Sequence, residues 1–392
     1  MISQRHLFLN HVAQTSPAPL GLEIIRAEGE FLFDVTGKKY VDLISGISVS
    51  NVGHRHPKVV KAIQDQLEKY MHLTVYGEYI QSPQVKLAEK IASLLPPTLN
   101  SSYFTNSGAE AIEGALKLAK RISGRSELIS FENAYHGSTA GALSIMGNEF
   151  FKTSFRPLIP GSQILRYNNF DDLKLISKNT AAVVVEPIQG EAGVVIPEKG
   201  FLEAIRKRCD ETGTLLIFDE IQTGFGRTGK LFGFQHGDAI PDIIVFAKGL
   251  GGGMPIGAFV SSHENMQALA ENPVLGHITT FGGNAVCCVA ALATIETILD
   301  ENLLDGIEER EKIICDTLKH PAIKQLRGKG LMFAADLGNS EKVKAVIQQS
   351  VRKGVVTDWF LFCDHALRIA PPLNITSSVL KESCQVIVDC LG

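Results

Sequence analysis

The chain predicts an α/β protein: a large domain with a mostly parallel, doubly wound sheet between helices, plus a smaller α+β domain assembled from both chain ends. Three observations predict it. Between residues 57 and 285 short apolar runs alternate with helical patterns, the signature of parallel strands joined by crossover helices. Before residue 57 only short strands and turns are spelled, and after 285 a long apolar helix leads into a new set of strands and helices. At 392 residues the chain exceeds the usual size of one core, so the expected division is 1–56 (joining the small domain), 57–285 (large domain) and 286–392 (small domain).

Taken in order, EFLFDVTGKKYVDL (30–43) reads as two strands with a turn at Thr36-Gly37. Pro57 suits a first helical turn and opens VVKAIQDQLEKY (59–70), whose Val60, Ile63 and Leu67 share one face. VKLAEKIASLL (85–95) is a second helix, stopped by Pro96-Pro97. YFT (103–105), ELISF (127–131), ILRY (164–167), AAVVVE (181–186), TLLIFDE (214–220), DIIVFAK (242–248) and AFVSS (258–262) then read as strands, with FLEAIRKRCDETG (201–213) among the helices between them. The last quarter gives a helix at 285–301, a strand LMFAADL (331–337), a helix at 341–354, a strand ALRIA (366–370) and a closing helix.

Composition narrows the functional classes. Net charge is −4 with basic and acidic residues intermixed, which argues against nucleic acid and anionic membranes as partners. No apolar stretch is long enough to span a bilayer and the first residues lack a secretory pattern, so a cytoplasmic location is expected. Seven cysteines with no CxxC spacing read as reduced, apolar residues, and no metal site is expected.

In a doubly wound sheet, ligands sit beyond the carboxyl ends of the strands, so what each strand delivers there carries the chemistry. DIIVFAK ends in Lys248 and breaks into glycines; an amine desolvated at a strand mouth is a candidate Schiff-base nucleophile. TLLIFDE ends in Asp219, followed closely by Gln222, and an aspartate near such a lysine suits the ring nitrogen of pyridoxal phosphate. After YFT, Ser107, Gly108 and Ala109 open a helix whose N-terminus suits a phosphate. After ELISF come Tyr135, a ring able to stack on a flat cofactor, and His136. AAVVVE delivers Glu186, with Glu191 on the loop beyond it. Gly224-Phe225-Gly226-Arg227-Thr228-Gly229 spells a dinucleotide fingerprint, but it lies between no strand and helix.

These residues in this order resemble the class III (ω-amino acid) branch of the fold-type I pyridoxal-phosphate aminotransferases, the acetylornithine, ornithine and 4-aminobutyrate group. The likeness runs from DVTGKKYVDLISGISVSNVGHRHP (34–57) through NSGAEA, AYHG, EPIQGEAGV, FDEIQTGFGRTG, AKGLGGGMPIG and TTFGGN to LRIAPPL (367–373). It implies that Lys248 binds the cofactor covalently and shuttles a proton, and that Asp219 meets the pyridine nitrogen. Gln222 would touch the phenolic oxygen, Tyr135 would stack on the ring, and His136 and Glu186 would complete the cofactor's surroundings. Ser107, Gly108 and Ala109 match the phosphate cup. Thr280 matches a residue that reaches the neighbouring subunit's phosphate, which implies a homodimer with shared active sites.

Arg368 resembles the arginine that grips the α-carboxylate of glutamate or 2-oxoglutarate, and Glu191 the acid that neutralises it while an ω-amino donor is bound. The resemblance thus implies a ping-pong transamination from an amine or ω-amino acid to 2-oxoglutarate. Two positions depart at the donor side. Ser138 follows AYHG where many relatives carry a carboxylate-binding arginine, and Thr15 and Ile47 stand where ornithine transaminases place tyrosines, although Ile47 agrees with the acetylornithine and 4-aminobutyrate types. The donor stays open. Another reaction on the same cofactor (aminomutase, lyase or decarboxylase) is the alternative, and retention of Glu191 and Arg368 favours a keto-acid acceptor.

Overall fold

Seven strands form the central sheet of the computed structural model, which describes residues 3–75 and 77–392. They are β4 (Ser101–Thr105), β5 (Glu127–Phe131), β6 (Ser162–Leu165), β7 (Thr180–Val185), β8 (Leu215–Asp219), β9 (Ile243–Phe246) and β10 (Gly257–Ser261). Their spatial order is β4-β10-β9-β8-β7-β5-β6. Only β10 runs against its neighbours, pairing antiparallel with both β4 and β9. The other pairings are parallel, so their carboxyl ends meet at one edge.

Strand pleating explains why these runs are apolar throughout. Alternate residues point to opposite faces, and both faces are covered. On one face Val183, Val185, Leu216, Phe218, Ile244 and Phe246 join one buried cluster; on the other, Ala182, Val184, Ile217, Ile243 and Val245 pack with Ile112, Ala115 and Ala119 of the helix Gly108–Ser123. Each large aliphatic or aromatic side chain buried this way contributes about 1.5–3 kcal/mol. No helix among the described residues is long and apolar enough to cross a membrane.

The flanking parts of the chain build two smaller sheets, and they meet in the first. β1 (Ile24–Glu28), β2 (Phe31–Asp34) and β3 (Lys39–Asp42) form an antiparallel meander, and β13 (Val355–Val356) adds parallel to β3. The turn after β2 is closed by Asp34, whose Oδ1 accepts from the N–H groups of Thr36 (2.9 Å) and Lys38 (3.0 Å), with Gly37 in the left-handed region. β11 (Gln325–Lys329), β12 (Met332–Asp336), β15 (Cys363–Ile369) and β14 (Trp359–Phe360) form the other, wholly antiparallel sheet.

One expectation needs correction. The helix Pro57–Leu67 buries Val59 and Gln66, with Ile63 against the core, while Leu67 is 45% exposed, so its inner stripe is rotated from the Val60-Ile63-Leu67 face. The polar Gln66 disguises that stripe, its amide donating to Tyr70 O at 2.9 Å. The N-terminal helix Gln4–His11 and the strand β1 carry no legible pattern, since neither buries a residue fully. Residues 224–229 form successive turns, with Phe225, Gly226 and Gly229 at positive φ, instead of a helix start.

Between β3 and the helix Pro57–Leu67 lies an unusual turn. Ser45, Gly46, Ile47 and Ser48 all hold positive φ, between 53° and 64°. Non-glycine residues adopt this conformation at a cost, most of all a β-branched isoleucine. Asp42 Oδ1 anchors the turn by accepting from Ile44 N and Ser45 N, and Ser45 Oγ donates to Ala370 O at 2.8 Å.

Candidate active site

A cavity of about 660 Å³ opens beyond the carboxyl ends of the strands, where the fold rule puts it. Lys248 and Asp219 both line it, as do Ser107, Gly108, Ala109, Tyr135, His136, Ser138, Glu186, Glu191 and Gln222. Ile47, Thr280 and Arg368 do not. Ile47 is 38% exposed and its neighbour Val49 lines the cavity instead; Thr280 is exposed on the surface; Arg368 lies behind Glu191. Asn106, Thr139 and Met254 also line the cavity, and only their adjacence to the recognised motifs signals them.

Lys248 follows β9 with φ 45°, a strained conformation that aims the residue out of the strand. Desolvation lowers its pKa below the ordinary lysine value, with the positive charge of Arg368 acting the same way against the pull of Glu191. Its amine has no hydrogen-bond partner among the described residues.

Asp219 ends β8. Its Oδ2 lies 2.7 Å from His136 Nδ1, and its Oδ1 accepts from Ile221 N at 3.0 Å. Its protein partner is therefore His136 and not Arg227, which donates instead to Leu331 O, Pro371 O and Asn51 Oδ1. Glu220 points the other way across the pleat, accepting from Gly233 N and Phe234 N. Glu186 joins two loops of the site, since its carboxylate accepts from Tyr135 N (3.1 Å) and Gly190 N (2.8 Å). Burial pushes its pKa up to about 7.

Ser107 caps the helix Gly108–Ser123, its Oγ accepting from Glu110 N at 3.2 Å. That leaves the first N–H groups of the helix, at Gly108 and Ala109, without intrahelical acceptors beside the cavity. A Cβ on Gly108 would come within 2.8 Å of Ile221, so the glycine permits a close approach.

Glu191 and Arg368 form a forked ion pair: Nη1 donates to Oε1 at 3.0 Å and Nη2 to Oε2 at 2.9 Å. Burial opposes ionisation of Glu191, yet Arg368 outweighs it and holds the carboxyl down at about 2. Gln222 Nε2 also donates to Glu191 Oε1, at 3.3 Å. Ser138 Oγ lies 3.3 Å from Tyr135 OH and brings no charge to the cavity mouth.

Asp336, Cys363 and His365 bring three ligand-type atoms within 4.8 Å of one another. Arg327 already occupies the cationic place among them, 3.2 Å from Asp336 Oδ2 and 3.5 Å from Cys363 Sγ, while His365 Nδ1 is taken by Asp336 Oδ1 at 2.9 Å. A second cation there would meet like charge. All seven cysteines are free thiols.

The cavity fits pyridoxal phosphate. His136 Nε2 and Gln222 Oε1 are buried without partners, an amine and a carboxylate share the chamber, and a helix N-terminus offers unpaired N–H groups to a phosphate. Fold and site together thus define a pyridoxal-phosphate-dependent transferase. The profile of the class III aminotransferases matches residues 12–391, and the chain belongs to that family of pyridoxal-phosphate enzymes. It is 39% identical to the acetylornithine aminotransferase of Methanopyrus kandleri over 371 residues, 94% of each chain. The ornithine aminotransferase of Toxoplasma gondii superposes with a TM-score of 0.91 at 30% identity, covering 98% of this chain and 93% of that one. A second structure of that enzyme, also at TM-score 0.91 and 30% identity over 98% and 92% of the two chains, is described with partial occupancy of PLP at its active site.

Proposed function

We propose that this aminotransferase moves an amino group from an amine or ω-amino acid to 2-oxoglutarate, the two substrates binding in turn at one site. The observation that carries the reading is the Glu191–Arg368 fork beside Lys248. A single pocket must take a donor with no carboxylate at the reacting carbon and then a 2-oxo acid that has one. Glu191 satisfies Arg368 in the first case, and yields both Nη atoms to the substrate carboxylate in the second.

When bound, pyridoxal phosphate supplies the aldehyde that accepts the amino group and a ring that draws electrons from the bond being broken. Lys248 Nζ would hold the cofactor and, within each half-reaction, would carry the proton between the amine-bearing carbon of the substrate and C4′ of the cofactor, in opposite directions for donor and acceptor. Asp219, oriented by His136, would face the ring nitrogen; Tyr135 would cover the ring, and Ser107, Gly108 and Ala109 would receive the phosphate. Gln222, on the cavity wall, would meet the phenolic oxygen.

Ser138 itself brings no cation to the cavity mouth, which supports a donor whose far end is not a carboxylate. The homodimer belongs to the same proposal: Thr280 sits among exposed Val274, Ile278 and Phe281, a surface suited to a second copy that would receive Thr280 at its phosphate. So does a cytoplasmic location, supported by seven unpaired thiols. Donor alone should abolish the visible absorbance of the holoenzyme and 2-oxoglutarate should restore it, with glutamate formed. Product formation from a donor without any keto acid would favour a lyase, mutase or decarboxylase instead.

A further inference from the structure

Arg368 has a second carboxylate. Its Nε donates to Asp358 Oδ1 at 2.8 Å, on the side of the guanidinium away from the Glu191 fork. Main-chain contacts fix that pairing. Arg368 N donates to Asp358 O at 2.8 Å, and Thr357 Oγ1 donates to Arg368 O at 2.6 Å, so residues 357–358 bracket residue 368. Arg368 Nη2 also donates to Trp359 O at 3.2 Å, and the Phe360 ring lies 4.3 Å from the guanidinium carbon. Among the described residues Glu191 supplies the only carboxylate to the two Nη atoms, and it is in turn secured by Leu361 N (to Oε2, 3.0 Å) and Phe362 N (to the main-chain oxygen, 3.0 Å).

Resting on the reading of Arg368 as the carboxylate grip, we propose that Asp358 is a positioning residue for the 2-oxo acid half-reaction. When Glu191 leaves, Nη1 loses its partner and Nη2 keeps only the Trp359 main-chain oxygen, so the guanidinium gains freedom to turn. Asp358 keeps the plane of the guanidinium set through Nε, so the incoming carboxylate meets a fork already aimed at it. Preorganisation of this kind lowers the cost of binding without adding a contact to the substrate. The donor half-reaction, in which Glu191 itself holds the fork, does not need Asp358.

The test compares Asp358→Ala, Asp358→Asn and Arg368→Ala as holoenzymes. It measures kcat/KM separately for 2-oxoglutarate and for an amine donor with no carboxylate on its reacting carbon, together with the dissociation constant of glutarate by calorimetry. Asp358→Ala is expected to weaken glutarate binding and raise the 2-oxoglutarate KM about tenfold or more, leaving kcat and the donor kcat/KM within about twofold. Asp358→Asn retains an acceptor for Nε and is expected to recover most of the loss. Equal damage to both half-reactions, or none to either, overturns the proposal. If Arg368→Ala leaves the 2-oxoglutarate KM and glutarate affinity unchanged, it is the reading of Arg368 that fails; if Arg368→Ala impairs both and Asp358→Ala neither, only the role of Asp358 fails.

Discussion

Lys248 combines a left-handed backbone with an enclosed amine, two costs that a structural lysine would have no reason to carry. Lys248→Ala is expected to bind pyridoxal phosphate reversibly, with no adduct trapped by borohydride, and to lose on the order of 10³-fold in turnover. Mass spectrometry after reduction and a steady-state assay check this; full turnover by the variant would refute the role of Lys248. The pH dependence has a definite sign. Enclosure favours the neutral amine, so the amine of cofactor-free protein becomes nucleophilic at a lower pH than an ordinary lysine. The rate of covalent attachment of pyridoxal phosphate should therefore rise with pH and level off below about pH 10, the unperturbed lysine range. A rate that climbs through that range without a plateau would contradict it. Asp219 shows the limit of reading single residues. Its position at a strand end is evident in TLLIFDE, but its partner His136 comes from a loop more than eighty residues away, and nothing in the local sequence connects the two.

At the scale of elements, the strands that build the site were legible because both faces of each are buried, which makes TLLIFDE, DIIVFAK and AAVVVE continuous apolar runs ended by a charge. Elements whose burial depends on something else were not. The helix Gln4–His11 buries no residue, and β14 is two residues long, so neither periodicity nor composition marks them. Asp358 carries no signal in the sequence for a related reason: it matters only through the ladder that sets it opposite Arg368. The run AFVSS predicts the strand β10, whose antiparallel direction follows from packing instead of pattern. Gly257, at its start, lies so close to the turn before the cofactor helix that a Cβ would fall 2.2 Å from Ser107 O. Gly257→Ala should push that turn away, lowering stability by about 1–3 kcal/mol and weakening retention of pyridoxal phosphate. Denaturant unfolding and cofactor titration measure the two effects, and wild-type values for both would show that the contact yields easily.

For the whole molecule, Arg227 ties distant parts of the chain together. Fully buried, with burial lowering its pKa to about 9, it donates to Asn51 near the start, to Leu331 O, and to Pro371 O near the end. The surface around Thr280 carries the proposal of a second copy. Phe281→Glu is expected to yield a folded monomer by light scattering, with turnover lost and the circular dichroism of the wild type retained; an active monomer would remove the shared site from the mechanism. The four-residue left-handed turn at 45–48 bears on how this enzyme can diversify. A coil wound against the natural hand, pinned at its entry by Asp42 and stitched to Ala370 across the fold, should resist a change of length, since a residue more or one fewer would break one of those ties. New substrates would then be reached by exchanging the side chain at 49, which lines the cavity, on an unaltered backbone, and libraries that vary loop length there should return mostly misfolded chains.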